Sequence, residues 1–256
     1  AAQPLARYLK ADAPLCVPVY ASGLHVSAAD DGIAAARASG IAAFKVKVGF
    51  DPNRDLVDLR WLTDALQEDE RLMADANQAW PLDAALRFAD ATRDMGLTWL
   101  EEPIRADRPA AEWAALARGC ATPLAVGENI VGRRDFAAAI QSGHFAYLQP
   151  DVAKWGGVSG CLDVAQQAVA TGLSYCPHFL GGGIGLLASA HLLAAAGGDG
   201  LLELDANSNP LRDAFLHQVS VNKGKIYIRD SSGLGVDALP EEIAPYRTLT
   251  LDSASR

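Results

Sequence analysis

The sequence lacks any long apolar run, and this absence argues against a membrane span. No stretch of about 18 or more uninterrupted apolar residues occurs in the 256-residue chain. The N-terminal region also lacks the basic, apolar and small-residue order of a signal peptide. We therefore expect no membrane partner and a cytoplasmic location.

Cysteine is scarce, and basic residues are outnumbered by acidic ones. The four cysteines stand far apart with no C-x-x-C pair, which favours reduced thiols over disulfides or a structural zinc site. Lysine and arginine number 22 against 31 aspartates and glutamates, so the formal net charge is −9. Such an acidic chain is unlike nucleic-acid-binding proteins, and we expect no nucleic-acid partner.

One pattern repeats along the chain: a short apolar run ends in polar residues, and an amphipathic Ala/Leu-rich stretch follows. The apolar runs are Cys16 to Ser22, Ala42 to Gly49, Arg71 to Asn77, Thr98 to Glu102, Pro123 to Asn129, Ala146 to Asp151, Leu173 to Phe179 and Gly200 to Ala206. Alternating strands and helices imply parallel strands joined by right-handed crossovers. Eight strands favour a closed, TIM-type α/β barrel over the rival open, doubly wound sheet.

Polar residues end seven of these runs, each about one strand–helix unit after the last. They are Lys47, Asn77, Glu101, Glu128, Asp151, His178 and Glu203. In a barrel all seven surround one mouth, the face where barrel enzymes keep their active sites. After Ala206 the pattern stops, and Val219 to Val236 indicates a hairpin whose partner the sequence does not identify.

Three acids in successive units suggest a metal site. Asp75, Glu101 and Glu128 each follow an apolar run, and crowded carboxylates repel unless a cation neutralises them. Oxygen ligands without Cys or His suit a hard ion, Mg²⁺ or alternatively Mn²⁺. The competing interpretation is that each acid caps a helix or pairs with an arginine. Glu101 and Glu102 are adjacent, and the residues alone do not decide which one faces the barrel interior.

Two further patterns carry acid–base chemistry. Lys45 and Lys47 share one strand face, and two neighbouring ammonium groups, with a dication nearby, are expected to lower a lysine pKa into the range of a base. Asp151 and His178 end the sixth and seventh strands, where a carboxylate would orient the imidazole and raise its basicity. The alternatives are solvated lysines and a structural histidine.

Taken in order, these motifs resemble those of the enolase superfamily, in its mandelate racemase subgroup. The motifs that carry the resemblance span most of the predicted barrel. They are Lys45-Val46-Lys47, Asp75-Ala76-Asn77-Gln78, Trp99-Leu100-Glu101-Glu102-Pro103, Gly127-Glu128-Asn129, Gln149-Pro150-Asp151, Lys154-Trp155-Gly156-Gly157 and Pro177-His178.

The resemblance implies a role for each site residue. Asp75, Glu101 and Glu128 would bind Mg²⁺, and Lys47 would be a base on one face of the substrate. His178, supported by Asp151, would act on the other face. Lys45 would help to bind the substrate carboxylate, and Glu203 would hydrogen-bond it as charge develops. Asn77 and Glu102 would support these groups, Ser22 would contact substrate, and Lys154 is left without a catalytic role.

The resemblance also implies an architecture, the modified (β/α)7β barrel of that superfamily. Family members carry an N-terminal α+β capping domain, which we expect to be absent from this chain. Residues 1–15 would end the linker from it, and residues 16–206 would form the catalytic barrel. Residues 207–256 would be a C-terminal segment whose hairpin packs toward the capping domain.

The implied activity is Mg²⁺-dependent removal of the α-proton of a carboxylate through an enediolate. The leading prediction is a lyase that dehydrates a sugar acid to a 2-keto-3-deoxy acid. An isomerase, which racemises or epimerises a 2-hydroxy acid, fits the same residues. A lidless, non-catalytic metal-binding barrel is the third alternative. The expected partners are a small carboxylate, further copies in a homo-oligomer, and the capping domain.

Overall fold

The computed structural model describes residues 2–216 and 220–249, in which short strands alternate with helices. The first eight strands are β1 Cys16–His25, β2 Ala43–Lys47, β3 Arg71–Asp75, β4 Leu100–Glu101, β5 Leu124–Val126, β6 Tyr147–Leu148, β7 Ser174–Tyr175 and β8 Leu202–Asp205. The helices between and around them are α1 Leu5–Leu9, α2 Asp30–Ala38, α3 Pro52–Asp64, α4 Leu82–Ala91, α5 Ala110–Gly119, α6 Arg133–Ser142, α7 Gly157–Ala170, α8 Gly183–Ala196 and α9 Pro210–Asp213.

The eight strands form a closed parallel barrel. Each strand from β1 to β6 pairs in parallel with the next, and β8 returns to pair in parallel with β1, with Val19 opposite Leu202. The β7 and β8 segments also meet, because the Leu201 amide donates to Cys176 Sγ at 3.3 Å. Seven strands are followed by a long helix and β8 only by the four-residue α9. The TIM-type barrel prediction, in its (β/α)7β form, is confirmed.

Alternation along the strands divides the buried residues into two layers. Phe44 and Val46 point outward into the large core between the strands and the surrounding helices. A second cluster fills the lower interior of the barrel and contains Tyr20, Ala43, Met73, Trp99, Ala125, Cys176 and Leu201. We call this second cluster the barrel floor. Side chains two residues further along each strand point the same way, so they lie directly above it.

The hairpin after the barrel pairs with the first strand. Its strands, β9 Ser220–Asn222 and β10 Lys225–Tyr227, are joined by Lys223 and Gly224, both with positive φ, and β10 runs antiparallel to the start of β1. The hairpin predicted from the sequence is present, and β1 is the partner that the sequence did not identify. The first residue of the predicted segment, Val219, lies outside the described residues.

The N-terminal segment and the loop after the hairpin cover one side of α8. Ala6 in α1 donates its amide to Nδ1 of the buried His191 at 3.0 Å, and the Leu5 amide donates to the Gly233 carbonyl at 2.7 Å. This cover explains why α8 is apolar on nearly all sides. No helix within the described residues combines the length and apolar character needed to cross a bilayer.

Candidate active site

The polar residues at the barrel mouth are set by the strand period. Ser22, Lys45, Asp75, Glu101, His178 and Glu203 each lie two positions after a residue of the barrel floor. All six are buried. The same period shows which of the two adjacent glutamates faces the barrel interior. Glu101 shares its inward face with Trp99, whereas Glu102 is turned aside by a positive φ of 38°. On each of these strands, one inward-facing residue therefore belongs to the apolar barrel floor, and the next inward-facing residue, two positions later, is polar or charged and lies at the mouth.

Lys45 lies at the centre of three carboxylates. Its Nζ is 2.7 Å from Glu101 Oε1, 2.8 Å from Glu203 Oε1 and 3.4 Å from Asp75 Oδ2. Burial alone would lower the pKa of Lys45, but Glu101 and Glu203 raise it well above its usual value. The lowered lysine pKa expected from the sequence is therefore wrong for Lys45, because carboxylates rather than another cation are its closest partners.

Lys47 stands higher on the same strand face and is partly exposed. Its Nζ donates to Asp75 Oδ2 at 2.6 Å and to Asn77 Oδ1 at 2.7 Å. The backbone amide of Asn77 in turn donates to Asp75 Oδ1 at 2.8 Å. Asp75 and Asn77 thus fix the ammonium group at the entrance, with about a fifth of its side chain open to solvent.

Glu101 is held by two residues that the sequence did not assign. Trp99 Nε1 donates to Glu101 Oε2 at 3.0 Å, and Gln149 Nε2 donates to the same oxygen at 2.6 Å. Burial, together with the charge of Asp75, raises the pKa of Glu101 to about 8. The spacing of Trp99 and Glu101 on one strand face was visible in the sequence, whereas the contact with Gln149 crosses from β4 to the end of β6.

Glu128 collects four donors on its two oxygens. His178 Nε2 and Lys154 Nζ lie 2.7 and 2.9 Å from Oε2, and the side-chain amides of Asn77 and Asn129 donate to Oε1 at 3.2 and 3.1 Å. Burial opposes ionisation, but His178 and Lys154 hold the pKa of Glu128 well below its usual range. Glu128 is therefore a carboxylate at any ordinary pH.

His178 is oriented by Asp151, as the sequence predicted for this pair. The imidazole Nδ1 lies 2.7 Å from Asp151 Oδ2, while Asp151 Oδ1 accepts the backbone amides of Ala153 and Lys154. Burial would lower the pKa of His178, but Glu203 and the bonded Asp151 and Glu128 raise it to about 10. The ring is thus a fixed imidazolium that presents Nε2 to the mouth.

Glu203 and Glu102 complete the carboxylate cluster. Burial opposes the ionisation of Glu203, but Lys45 and His178 lower its pKa to about 2. The Phe179 amide also donates to Glu203 Oε2 at 2.9 Å. Glu102 accepts from Asn129 Nδ2 at 2.6 Å, and burial raises its pKa to about 7. Glu102 thus lies behind the mouth, beside Glu128.

The donor set suits a hard divalent cation, although the carboxylates do not form a finished cage. Asp75, Glu101 and Glu128 supply buried oxygens, and the raised pKa of Glu101 records repulsion that a dication would relieve. In the part of the chain that the structure describes, no three His, Cys, Asp or Glu groups are arranged as a ready metal site. Lysine and histidine cations contact these acids instead, so the assignment of metal ligands stays a prediction.

Residues 28–242 match a family described as enolase C-terminal domain-like. The D-galactarolactone cycloisomerase of Agrobacterium fabrum is 31% identical over 82% of this chain and 58% of its own length. The L-talarate/galactarate dehydratase of Salmonella typhimurium is 32% identical over 86% of this chain and 53% of its own length. The chain thus spans little more than half the length of these relatives.

Solved structures agree with this family. A mandelate racemase/muconate lactonizing enzyme from Bordetella bronchiseptica RB50 is 48% identical with a TM-score of 0.87, covering 92% of this chain and 66% of that one. A racemase from Streptomyces coelicolor A3(2) with bound magnesium is 30% identical with a TM-score of 0.76, covering 93% of this chain and 66% of that one.

Proposed function

This chain belongs to the enolase superfamily and is similar to its mandelate racemase-like enzymes, and from this we propose that it removes the α-proton of a small carboxylate with the help of Mg²⁺. We further propose that the substrate is a sugar acid and that the product is a 2-keto-3-deoxy acid. One relative is named as a dehydratase of the sugar acids L-talarate and galactarate, and another as a cycloisomerase of D-galactarolactone. The mouth residues fit dehydration and racemisation alike, and the dehydratase relative is what favours dehydration.

One observation carries the proposal: two separate cationic side chains face the mouth from different sides. Lys47 projects from the end of β2 and contacts Asp75, whereas His178 follows β7 and contacts Glu128 and Glu203. These strands are three positions apart around the ring. A planar enediolate bound between them would meet one proton-transfer group on each face.

The carboxylates at the mouth, with the Mg²⁺ that they would hold, would stabilise the negative charge that forms on the substrate. Asp75, Glu101 and Glu128 would hold the Mg²⁺, which when bound would draw negative charge onto the substrate carboxylate oxygens. Lys45, with its raised pKa, stays a cation and donates to the same carboxylate. Ser22 borders this cluster and would contact the other carboxylate oxygen. Glu203 stays ionised because its pKa is lowered, so it holds Lys45 and His178 in place instead of donating a hydrogen bond to the substrate as the resemblance implied.

Proton movement then follows from the two side chains. Lys47 in its neutral form takes the proton from C2, and the electrons of that C–H bond form the enediolate. His178 enters as an imidazolium and gives its Nε2 proton to the hydroxyl on C3, which leaves as water. The resulting enol becomes the 2-keto acid when C3 is protonated. Asp151 holds Nδ1 and stabilises the charged ring before this transfer.

A second candidate reaction uses the same groups without loss of water. If His178 begins neutral, it returns a proton to C2 from the face opposite Lys47, and the 2-hydroxy acid is racemised or epimerised. The placement of Lys47 and His178 on different strands is as consistent with racemisation or epimerisation as with dehydration. The difference lies in the β-hydroxyl, which only the dehydration requires.

The proposed function is tested with a panel of sugar acids and Mg²⁺, scored for 2-keto acid. We expect at least one polyhydroxy acid to give keto acid, and Lys47→Ala to lower the rate by about 100-fold or more. Inversion of a simple 2-hydroxy acid, with no keto acid from the panel, selects the racemase. No reaction with either class supports a non-catalytic barrel.

The loops around the mouth expose apolar side chains that another part of the protein could cover. Phe50 and Val131, in loops that follow β2 and β5, are more than half exposed. We propose that a capping domain covers them, with residues 1–15 as the end of its linker, residues 16–206 as the barrel and residues 207–256 as the C-terminal segment. A longer chain with this cap should turn over faster, because a closed mouth excludes water. We also propose a homo-oligomer.

A further inference from the structure

Lys154 is a cation at the mouth that the proposed mechanism does not use. It lies in the turn after β6, three residues beyond Asp151, and its side chain is 45% exposed. Its ammonium group nevertheless donates to Glu128 Oε2 at 2.9 Å, the oxygen that also meets His178 Nε2 at 2.7 Å. One carboxylate oxygen thus binds two cationic donors of very different exposure.

The four donors on Glu128 differ in how easily they can leave. His178 is buried and fixed by Asp151, and Asn77 and Asn129 are short side chains that follow strands. Lys154 has a long, flexible side chain whose end is already open to solvent. Its backbone amide is held by Asp151 Oδ1 at 3.1 Å, so the turn stays in place while the ammonium group moves.

We propose that Lys154 is an exchangeable counter-cation, which pairs with Glu128 until a divalent cation binds and then donates to substrate oxygens beyond C2. The inference rests on the proposed function, because it requires Glu128 to take a metal. An ammonium group and a dication at the same carboxylate repel each other, so binding of the dication displaces the more mobile partner. Released from Glu128, Lys154 extends over the mouth, where the distal hydroxyl groups of a polyhydroxy acid would lie.

The first test uses Mg²⁺ alone on the protein as its gene encodes it. Calorimetric titration should show that Lys154→Met binds Mg²⁺ about fivefold more tightly than the wild type, since a competing cation has been removed. Lys225→Met on the hairpin is the matched control, because Lys225 is exposed and lies away from Glu128. An unchanged or weaker Mg²⁺ affinity in Lys154→Met overturns the exchange.

A second measurement follows the ammonium group itself. Reductive methylation of Lys154, read by mass spectrometry, should become faster when Mg²⁺ is added, because the ion pair with Glu128 is broken. Methylation of Lys225 in the same sample should not change. Equal labelling of Lys154 with and without Mg²⁺ contradicts the proposal, even if the calorimetric titration shows tighter Mg²⁺ binding by Lys154→Met.

The substrate arm compares two acids that share the 2-hydroxy carboxylate. In the Lys47→Ala background with Mg²⁺, adding Lys154→Met should weaken binding of galactonate by about fivefold and leave binding of lactate unchanged. An equal change for both acids, or failure of galactonate to bind, overturns the substrate role. Keto-acid formation by wild type that does not depend on Lys154 keeps the proposed function and removes only this inference.

Discussion

At the residue scale, the two mouth cations should separate the two steps of the proposed reaction. Replacing His178 with Asn removes the proposed proton donor for the C3 hydroxyl but leaves Lys47 bonded to Asp75. We predict that this variant loses keto-acid formation by about 100-fold or more in D₂O with Mg²⁺, while exchange of the α-proton persists. The measurement is proton NMR of the substrate.

The matched variant is Lys47→Ala, which should lose α-proton exchange from its own face. If His178→Asn abolished exchange and keto-acid formation together, His178 rather than Lys47 would be the base. The roles of the two residues would then be reversed, and the metal ligands would be unaffected.

His178 also makes stability depend on pH. Its folded pKa of about 10 lies above the unfolded value of about 6.5. The imidazolium therefore stabilises the fold fully below about pH 6.5, and this contribution is lost as the pH rises through about 10. With chelator present, we predict that the free energy of unfolding in urea falls by on the order of 1–3 kcal/mol from about pH 6.5 to about pH 9.5.

The control for this slope is His178→Gln. Glu101, with a pKa raised to about 8, adds a downward trend of its own between about pH 4.5 and 8, since ionisation of a buried acid destabilises the fold. His178→Gln should keep the fall in unfolding free energy that Glu101 causes between about pH 4.5 and 8, and lose the further fall above about pH 8. A slope above pH 8 that is the same in both proteins would rule out His178 as its source.

Residue chemistry was only partly predictable from the sequence. The contact between Asp151 and His178 could be predicted from their positions at neighbouring strand ends, and the structure contains it. The pKa direction of Lys45 did not follow, because it depends on Glu101 and Glu203, which are distant in sequence but lie 2.7 and 2.8 Å from Nζ in the fold. Trp99 was missed because an apolar pattern counts it as a packing residue although its indole N–H is a donor. Gln149 was missed because its contact with Glu101 joins residues 48 positions apart.

At the element scale, Gly127 fixes how closely β5 approaches β6. It has a φ of 152°, and a Cβ there would lie 2.5 Å from the backbone nitrogen and carbonyl carbon of Gln149. We predict that Gly127→Ala destabilises the protein by about 2 kcal/mol more than Gly96→Ala does, by urea unfolding. Gly96 also has positive φ, at 67°, but open space around it, so the difference measures the clash together with the less tolerated φ of Gly127.

The glycine also precedes Glu128 and therefore places its carboxylate. Gly127→Ala should consequently weaken Mg²⁺ binding, whereas Gly96→Ala should not. Equal loss of stability in the two variants would show that strands β5 and β6 can separate without cost.

Element positions were easier to predict than element lengths. All eight barrel strands fall inside or overlap the apolar runs, yet β4, β6 and β7 are only two residues long. Apolar patterning reports burial, whereas a strand is bounded by its hydrogen bonds, which end sooner. The pairing of β10 with β1 joins distant segments, and no local pattern encodes it.

At the scale of the whole molecule, the acid cluster should link metal binding to stability. Asp75, Glu101 and Glu128 lie in a common buried mouth and carry like charges. We predict that Mg²⁺ at about 100 times its Kd raises the Tm by roughly 5–10 °C over the chelator-treated protein, by mass action. Thermal unfolding followed by circular dichroism measures it.

Glu128→Gln is the control, since an amide binds Mg²⁺ less well and the Tm should respond less. A wild-type Tm that is indifferent to Mg²⁺ and to chelator would refute the metal site and leave the barrel assignment intact. The barrel itself followed from eight strand–helix units. The arrangement of the acids did not, because their contacts with Lys45, Lys154 and His178 depend on three-dimensional proximity.

The pairing of β1 with β8 also sets a timetable for biosynthesis. A ribosome delivers β1 long before its neighbour β8 and the hairpin strand β10, because both lie far downstream in the sequence. The amide of Ala6 likewise waits for His191, which is 185 positions later. Until then, β1 carries an open edge that can pair with a nascent neighbour on the same messenger RNA. Ring closure, and with it the positioning of Ser22 beside Glu203, therefore has to wait until β8 has been synthesised.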